Sequence, residues 1–210
     1  MPCRGLRLLG AVGVAVSLAA CFRPPGDHAA AINGGGRHLA AVLDSMHVER
    51  GWRPGDPVNW RTGEPDPISI PLNGHCSAFV AAVCARFDIY ILRPPEHSER
   101  LLANAQCEWL QNDGPRWGWR RVADGVAAQH LANQGDIVVA CCKGPDEDDA
   151  GHIAVVRPGT KGRAQIALEG PDIAQAGARN YSKTTVRHGF RFHPAALRRG
   201  MIRYYAHAGR

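Results

Sequence analysis

Three features are missing from this 210-residue chain: a long apolar run, a run of lysine and arginine, and a CxxC pair. Crossing a bilayer takes about 20 consecutive apolar residues. Nucleic-acid-binding proteins concentrate basic residues, and structural zinc sites commonly use closely spaced cysteine pairs. We therefore expect no transmembrane helix, no nucleic-acid partner and no structural metal. The composition, 45% hydrophobic and 21% charged with a formal charge of +6, is that of a globular domain with a mild basic excess.

The N-terminus has the pattern of an export signal. Arg4 and Arg7 precede an apolar run over residues 8–18, and two alanines then precede Cys21. The order Leu-Ala-Ala-Cys resembles the bacterial lipobox, whose cysteine is acylated after cleavage. The resemblance implies that residues 1–20 are a lipoprotein signal peptide and that Cys21 carries a lipid. The protein would then lie in the bacterial cell envelope, anchored to the outer membrane or the periplasmic face. The alternative is an ordinary secretory signal and a secreted protein.

The cysteine count is odd once the signal and the lipid site are set aside. In an oxidising compartment an odd number leaves one thiol unpaired. If Cys76 is that thiol, the other four can form two disulfides, whose pairing the sequence leaves open. The five remaining cysteines are Cys76, Cys84, Cys107, Cys141 and Cys142.

The first part of the mature chain is predicted to be a tether followed by helices. Residues 21–37 are rich in proline, glycine and alanine, which is typical of a flexible linker. The folded domain is then expected over 38–210. Within it, apolar residues recur at three- and four-residue spacing, as in amphipathic helices. Helices are predicted over 38–50, 76–87, 96–110 and 122–131.

The last third of the chain changes to a β-type pattern. Short apolar runs between glycine, proline and acidic clusters predict strands over 136–142, 151–156 and 165–168, and Tyr204-Tyr205 marks a later one. Helices followed by a strand meander favour an α+β domain, in which the long helix packs on an antiparallel sheet.

Two residues have the surroundings that a cysteine hydrolase needs. Cys76 begins a predicted helix after the turn signal Asn73-Gly74, and a helix N-terminus favours a thiolate with a lowered pKa. His152 follows Gly151 at the start of a predicted strand, where its imidazole can face a helix end and act as a base. Alone, each residue has an ordinary alternative: a core or disulfide cysteine, and a surface histidine. Together they predict a nucleophile and its base.

Four segments in order are similar to one family. Residues 73–80, Asn-Gly-His-Cys-Ser-Ala-Phe-Val, resemble the nucleophile helix of CHAP and NlpC/P60 peptidoglycan hydrolases. Residues 134–139 resemble the Gly-Asp strand entry of that family, and 151–156 its histidine strand. Residues 166–170 resemble the next strand, which in CHAP domains ends on a carboxylate or an amide. The resemblance covers about half the chain, residues 70–172.

The resemblance implies a papain-like fold and a Cys-His-Glu triad. Cys76 would be the nucleophile, His152 the base and later the acid, and Glu169 the group that orients the imidazole. Asn73 would either join the Cys76 backbone N–H in an oxyanion hole or serve only as a helix-entry residue. His75 is a weaker candidate base, because adjacent helical residues do not face each other. No cofactor is implied.

The function implied by the resemblance is hydrolysis of an amide bond in peptidoglycan. The enzyme would be a stem-peptide endopeptidase or an N-acetylmuramoyl-L-alanine amidase, with peptidoglycan or a peptide as substrate and the membrane as a second partner through its lipid. One alternative is a non-catalytic peptidoglycan-binding lipoprotein. Another is a cysteine transferase or deamidase on the same scaffold.

Three departures from the family pattern leave the substrate open. Gln134 stands where the family has proline, and an acidic run, 146–149, precedes His152. The C-terminal segment from residue 170 has no counterpart that aligns. Within it, residues 175–177 and Asn180-Tyr181 are expected to form a binding loop.

Overall fold

A six-stranded antiparallel sheet organises the chain in the computed structural model, which describes residues 31–146 and 148–209. The predicted signal peptide, Cys21 and most of the predicted tether lie outside the described residues. The strands are β1 (Arg120–Val122), β2 (Ile137–Cys142), β3 (His152–Val156), β4 (Asp172–Gln175), β5 (Tyr181–Thr185) and β6 (Arg203–His207). Their order across the sheet is β1-β6-β2-β3-β4-β5, with every neighbouring pair antiparallel.

Helices cover the sheet and give the protein its mixed α+β class, as the sequence predicted. α2 packs on β3 and β4, α3 on β2 and β3, and α4 on β2 and β6. A short 3-10 turn at Gly114–Trp117 follows α3. The helices are α1 (Gly34–Ser45), α2 (Cys76–Arg86), α3 (Leu102–Asn112), α4 (Gly125–Asn133), α5 (Arg163–Glu169), α6 (Val186–Gly189) and α7 (Pro194–Arg198).

The core is deepest around β2, β3 and α2. Every residue of β2 and β3 is buried, and so is each of the nine consecutive residues from Cys76 to Cys84. Alternate residues of a strand face opposite sides of a sheet, so both faces of these strands are covered. Fully burying each valine or isoleucine contributes about 1.5–3 kcal/mol. This packing fixes the N-terminus of α2 relative to β3.

The first helix begins earlier than its apolar pattern predicted. Asn33 caps α1 by accepting a hydrogen bond from the Gly36 N–H at 2.9 Å, so residues 34–37, assigned to the tether, form its first turn. Glycine is needed there because a Cβ at Gly36 would collide with the carbonyl of Asn133. This close approach docks α1 against α4.

The predicted strand over 165–168 is wrong, because this segment lies in helix α5. The alanines, leucine, glutamine and glutamate of α5 are good helix formers. Only Ile166 is buried, whereas Leu168 is exposed, so the segment lacks the burial of a central strand. The strand that pairs with β3 comes one turn later, at β4.

One disulfide forms among the described residues, between Cys107 of α3 and Cys141 of β2, with 6.0 Å between their Cα atoms. The other described cysteines, Cys76, Cys84 and Cys142, are free and buried. The second disulfide that the cysteine count allowed is therefore not formed. None of the described helices is both long and apolar enough to cross a membrane.

Candidate active site

Cys76 is the first residue of α2, as the sequence predicted, but it is less exposed than a free helix end would leave it. Only 8% of the residue is accessible. Burial raises the pKa of its thiol, and the nearby backbone N–H groups of Ile153, Ser77 and Cys76 itself oppose this only in part. The expected lowering of the Cys76 pKa is therefore wrong, because loss of hydration outweighs the helix N-terminus.

His152 opens β3, and its imidazole is held by an amide. Its Nε2 lies 3.0 Å from Oε1 of Gln175, the last residue of β4. The Gln175 Nε2 in turn donates to the backbone carbonyl of Arg179 at 3.0 Å. Because a carbonyl only accepts, the Gln175 Nε2 must be the donor there, and Oε1 must accept from His152. The proton of the neutral imidazole is therefore on Nε2, and Nδ1 keeps its lone pair.

Burial also sets the charge of this imidazole. It lowers the pKa of His152 to about 4, while the hydrogen bond with Gln175 acts in the opposite direction. At neutral pH the His152 ring is thus uncharged and able to accept a proton at Nδ1.

Glu169 does not take the position expected of the orienting group. It ends α5, is 43% exposed in its side chain, and pairs with Lys161, whose Nζ lies 3.2 Å from its carboxylate. Gln175 contacts the imidazole instead. The error follows from the misplaced strand: the residue that ends the true neighbouring strand is an amide. A search for an amide or carboxylate after the next apolar pair, Ile173-Ala174, would have found it.

One backbone contact and one chain of close approaches place Cys76 near His152. The Ile153 backbone N–H next to the Cys76 sulfur belongs to the residue that directly follows His152. A Cβ at Gly74, two residues before Cys76, would lie 2.9 Å from the carbonyl carbon of Gly177. A Cβ at Gly177 would in turn lie 3.2 Å from Cε1 of His152. No hydrogen bond joins the thiol and the imidazole within the described part of the chain.

The loop after β4 lies beside His152; the sequence predicted a binding loop here, and that binding role stays a prediction. The Gly177 N–H donates to Oδ1 of Asn180 at 3.1 Å. The two N–H groups of the Asn180 amide face three backbone carbonyls, those of Val48, Gly51 and Trp52, at 2.8, 2.9 and 3.1 Å from Nδ2, so one hydrogen is shared. Asn180 therefore ties the loop beside His152 to the turn after α1.

The C-terminal segment packs two rings against His152, which sequence reasoning missed. The Phe190 ring packs edge to face against the His152 imidazole, with 4.7 Å between ring centroids. The His193 ring stacks on the same imidazole, with 5.6 Å between centroids and 10° between the ring planes. Burial and the neighbouring His152 lower the pKa of His193 to about 4. A Cβ at Gly189 would collide with Oε1 of Gln175, so this segment needs glycine to approach so closely. Nothing in the spacing of these residues pointed to His152.

The remaining predicted residues lie around the entry to α2. His75 is fully buried, with its Nε2 2.9 Å from the Asp56 carbonyl and its Nδ1 3.7 Å from the Glu99 carboxylate. Both ring nitrogens thus face groups other than the thiol. Asn73 is exposed, and its place in an oxyanion hole stays a prediction.

Two further free thiols lie in the core. Cys142 is opposite His152 in the β2–β3 register, and burial raises its pKa to about 11. Burial raises the pKa of Cys84 to about 12. Cys76 is the most exposed of the three free cysteines: 8% of its surface is accessible, compared with 2% for Cys142 and 0% for Cys84.

Comparisons with known proteins leave the site to be interpreted from its geometry. No protein-family model matches the chain, and no curated protein matches it significantly. Within residues 31–146 and 148–209, no three His, Cys, Asp or Glu side chains are placed to hold one metal ion. The groups of this site that can carry chemistry are the thiol of Cys76, the imidazole of His152 and the amide of Gln175.

Proposed function

We propose that this protein is a cysteine hydrolase that cleaves an amide bond in peptidoglycan, with Cys76 as nucleophile and His152 as base. The observation that carries the proposal is the chain of contacts from the Arg179 carbonyl through Gln175 to His152. It holds the imidazole in the tautomer with a free Nδ1 lone pair, beside the first residue of α2. A general base needs both a fixed orientation and a free lone pair.

The reaction follows from these atoms. The Cys76 sulfur attacks the amide carbon while its proton passes to Nδ1 of His152. The C–N bond then breaks, and the proton on Nδ1 goes to the departing amine, leaving a thioester on Cys76. Water then attacks the thioester carbon and gives a proton to Nδ1. The C–S bond breaks, and that proton passes to the Cys76 sulfur, which releases the free acid and restores the thiol. The Cys76 backbone N–H and the Asn73 amide are the proposed donors to the oxyanion.

Burial favours proton transfer during the attack over a preformed ion pair. The pKa of the thiol is raised and that of the imidazole is lowered, so both groups are neutral at rest. Gln175 orients the imidazole without adding the negative charge that a carboxylate would bring. The stacked ring of His193 and the edge of Phe190 further restrict rotation of His152.

The arrangement of elements supports a papain-like version of the α+β fold. The nucleophile begins a buried helix, the base begins the strand on which that helix packs, and the orienting amide ends the next strand. This is the order that the resemblance to CHAP and NlpC/P60 hydrolases implies, with Gln175 in place of Glu169. The proposed lipid on Cys21 would hold the enzyme in the envelope, next to its substrate.

The test is direct. Purified protein is incubated with peptidoglycan, and the released fragments are identified by mass spectrometry. We expect new amine and carboxylate ends, and the position of those ends tells an endopeptidase from an amidase. Cys76→Ala and His152→Ala should each lose several orders of magnitude in rate, because nucleophile and base act as a unit. Cys84→Ala, which removes a thiol away from the site, is the matched control.

One observation favours a second candidate, binding of peptidoglycan without hydrolysis. Burial disfavours the charged forms of both Cys76 and His152, and no hydrogen bond joins them among the described residues. If wild-type protein sediments with peptidoglycan but releases no fragment, the binding function replaces the hydrolase. Mass spectrometry would also reveal a deamidase, by loss of ammonia, or a transferase, by a new amide in the product.

A further inference from the structure

A cavity of about 380 Å³ opens at the other end of α2 from Cys76. Its walls come from the last two turns of α2, the segment after it, and the loop that contains Arg61. A helix rises 1.5 Å per residue, so this cavity lies about 15 Å from the catalytic thiol along the helix axis. Its lining residues are Arg61, Ala82, Ala85, Arg86, Asp88, Ile89, Tyr90 and Arg93.

Aromatic rings hold two of the three arginines that line this cavity. The Arg93 guanidinium lies 5.1 Å from the Tyr90 ring and 5.7 Å from the Trp60 ring. The Arg61 guanidinium lies 5.0 Å from the Trp60 ring. A guanidinium whose face is stacked keeps its N–H groups for hydrogen bonds in the ring plane. Both side chains are therefore placed to bind a carboxylate with little further loss of rotamer freedom.

Tyr90, which lines the cavity, also packs against two tryptophans. The ring centroids of Tyr90 and Trp117 are 4.4 Å apart, with 32° between the ring planes. The ring centroid of Trp109 is 5.5 Å from that of Tyr90. Trp117 is 52% exposed, although a tryptophan is usually well buried. An exposed ring of this size next to hydrogen-bond donors can pack against the apolar face of a sugar.

The charge of the cavity favours an anion. Three guanidiniums, of Arg61, Arg86 and Arg93, line it, against the single carboxylate of Asp88. Glu96 approaches from outside, since its charge helps to raise the pKa of Tyr90. Positive charge remains in excess when both acids are counted.

We propose that this cavity is a second binding site, for a sugar that carries a carboxylate. The sugar ring would pack on the exposed ring of Trp117, and the carboxylate would bind Arg93 and Arg61. The choice of sugar rests on the proposed function: a muramoyl residue without its peptide has a free lactyl carboxylate. The site would hold a glycan strand while Cys76 acts on a neighbouring peptide.

The test uses the full mature chain with Cys76→Ala, so that binding is measured without hydrolysis. Three probes are titrated into this protein: N-acetylmuramic acid, neutral N-acetylglucosamine and inorganic phosphate. Tryptophan fluorescence and ligand-observed NMR measure their binding. We expect saturable binding of N-acetylmuramic acid, and affinities at least about tenfold lower for the other two, because each lacks one half of the recognised chemistry.

Variants locate the site. Arg93→Gln should weaken N-acetylmuramic acid binding about tenfold, because it removes one charge-assisted contact. Arg61→Gln changes a second, exposed position and serves as the test if Arg93→Gln fails to fold. Arg116→Gln, close in sequence to Trp117 but outside the cavity, is the control and should bind normally.

If phosphate binds as tightly as N-acetylmuramic acid, the claim that the ligand is a sugar is wrong. If N-acetylglucosamine binds as tightly, the claim that the arginines recognise a carboxylate is wrong. No saturable binding, or folded Arg93→Gln and Arg61→Gln variants that both bind like the parent, would overturn the site. Binding by a protein that never hydrolyses peptidoglycan would leave this site standing and remove only the catalytic proposal.

Discussion

Gly74 and Gly177 touch backbone to backbone: a Cβ on Gly74 would lie 2.9 Å from the carbonyl carbon of Gly177. Gly74 leads into the helix that carries Cys76, and Gly177 lies against the imidazole of His152. The contact therefore sets how closely the candidate nucleophile and the candidate base approach. Two glycines 103 positions apart in the sequence make this approach possible.

Gly74→Ala should move Cys76 away from His152. The added methyl group meets backbone atoms that cannot rotate away, so we expect about 1–3 kcal/mol of destabilisation and a loss of hydrolysis larger than this instability explains. Gly34→Ala is the control, because its Cβ would meet only the far end of Arg37 at 3.9 Å. Chemical denaturation and turnover measure the two effects. Wild-type turnover in Gly74→Ala would contradict the role given to this contact.

Labelling with iodoacetamide should modify Cys76 before Cys84 and Cys142, because Cys76 is the most exposed free thiol. Burial raises the pKa of all three thiols, so the labelling rate should keep rising with pH beyond the free-cysteine value of about 8.5. Peptide mapping at several pH values measures both points. Faster labelling of Cys142, or a Cys76 midpoint well below 8.5, would contradict the buried geometry.

Gln175→Glu should move the acid limb of kcat/KM to higher pH. A carboxylate beside the imidazole stabilises its protonated form, so the pKa of His152 should rise from about 4. The matched control is Glu169→Gln, which removes the carboxylate that the sequence suggested and should leave the acid limb in place. A shift in Glu169→Gln and none in Gln175→Glu would restore the original assignment.

Stability should fall as the pH is lowered from about 6.5 to 4. The unfolded His152 titrates near 6.5 and the folded one at about 4, so the unfolded chain binds more protons between these values. His152 then destabilises the fold by up to about 3 kcal/mol at the acid end. His193 acts in the same direction, to a smaller extent because it is partly exposed. Urea denaturation at several pH values measures the effect, which His152→Gln should reduce.

Cys21→Ser should release the protein from the membrane fraction or leave an uncleaved precursor. The reason is that a serine cannot accept the proposed lipid, whose buried methylenes each contribute about 0.8 kcal/mol to membrane binding. Fractionation and the mass of the N-terminal peptide measure the outcome. If the variant behaves like the wild type and the native peptide carries no acyl group, plain secretion replaces the lipid anchor.

Much of the fold was accessible from local patterns in the sequence. The helix that starts at Cys76 and the strands at 137–142 and 152–156 follow from the spacing of apolar residues and the turn residues before them. Spacing failed at 165–168, where an amphipathic segment too short to show its period was assigned to the wrong element. Boundaries also moved where glycine packs against a distant backbone, as in α1.

Local sequence patterns identify the helix that carries Cys76 and the strand that carries His152, because both elements depend on neighbouring residues. The surroundings of these two residues come from segments that are far apart in the chain and meet when it folds. The partner of the imidazole is Gln175 instead of Glu169, since the β4 register and the Arg179 carbonyl set both the position and the orientation of its amide. The pKa of the thiol rises because burial depends on segments far apart in the chain. No local pattern contains that information.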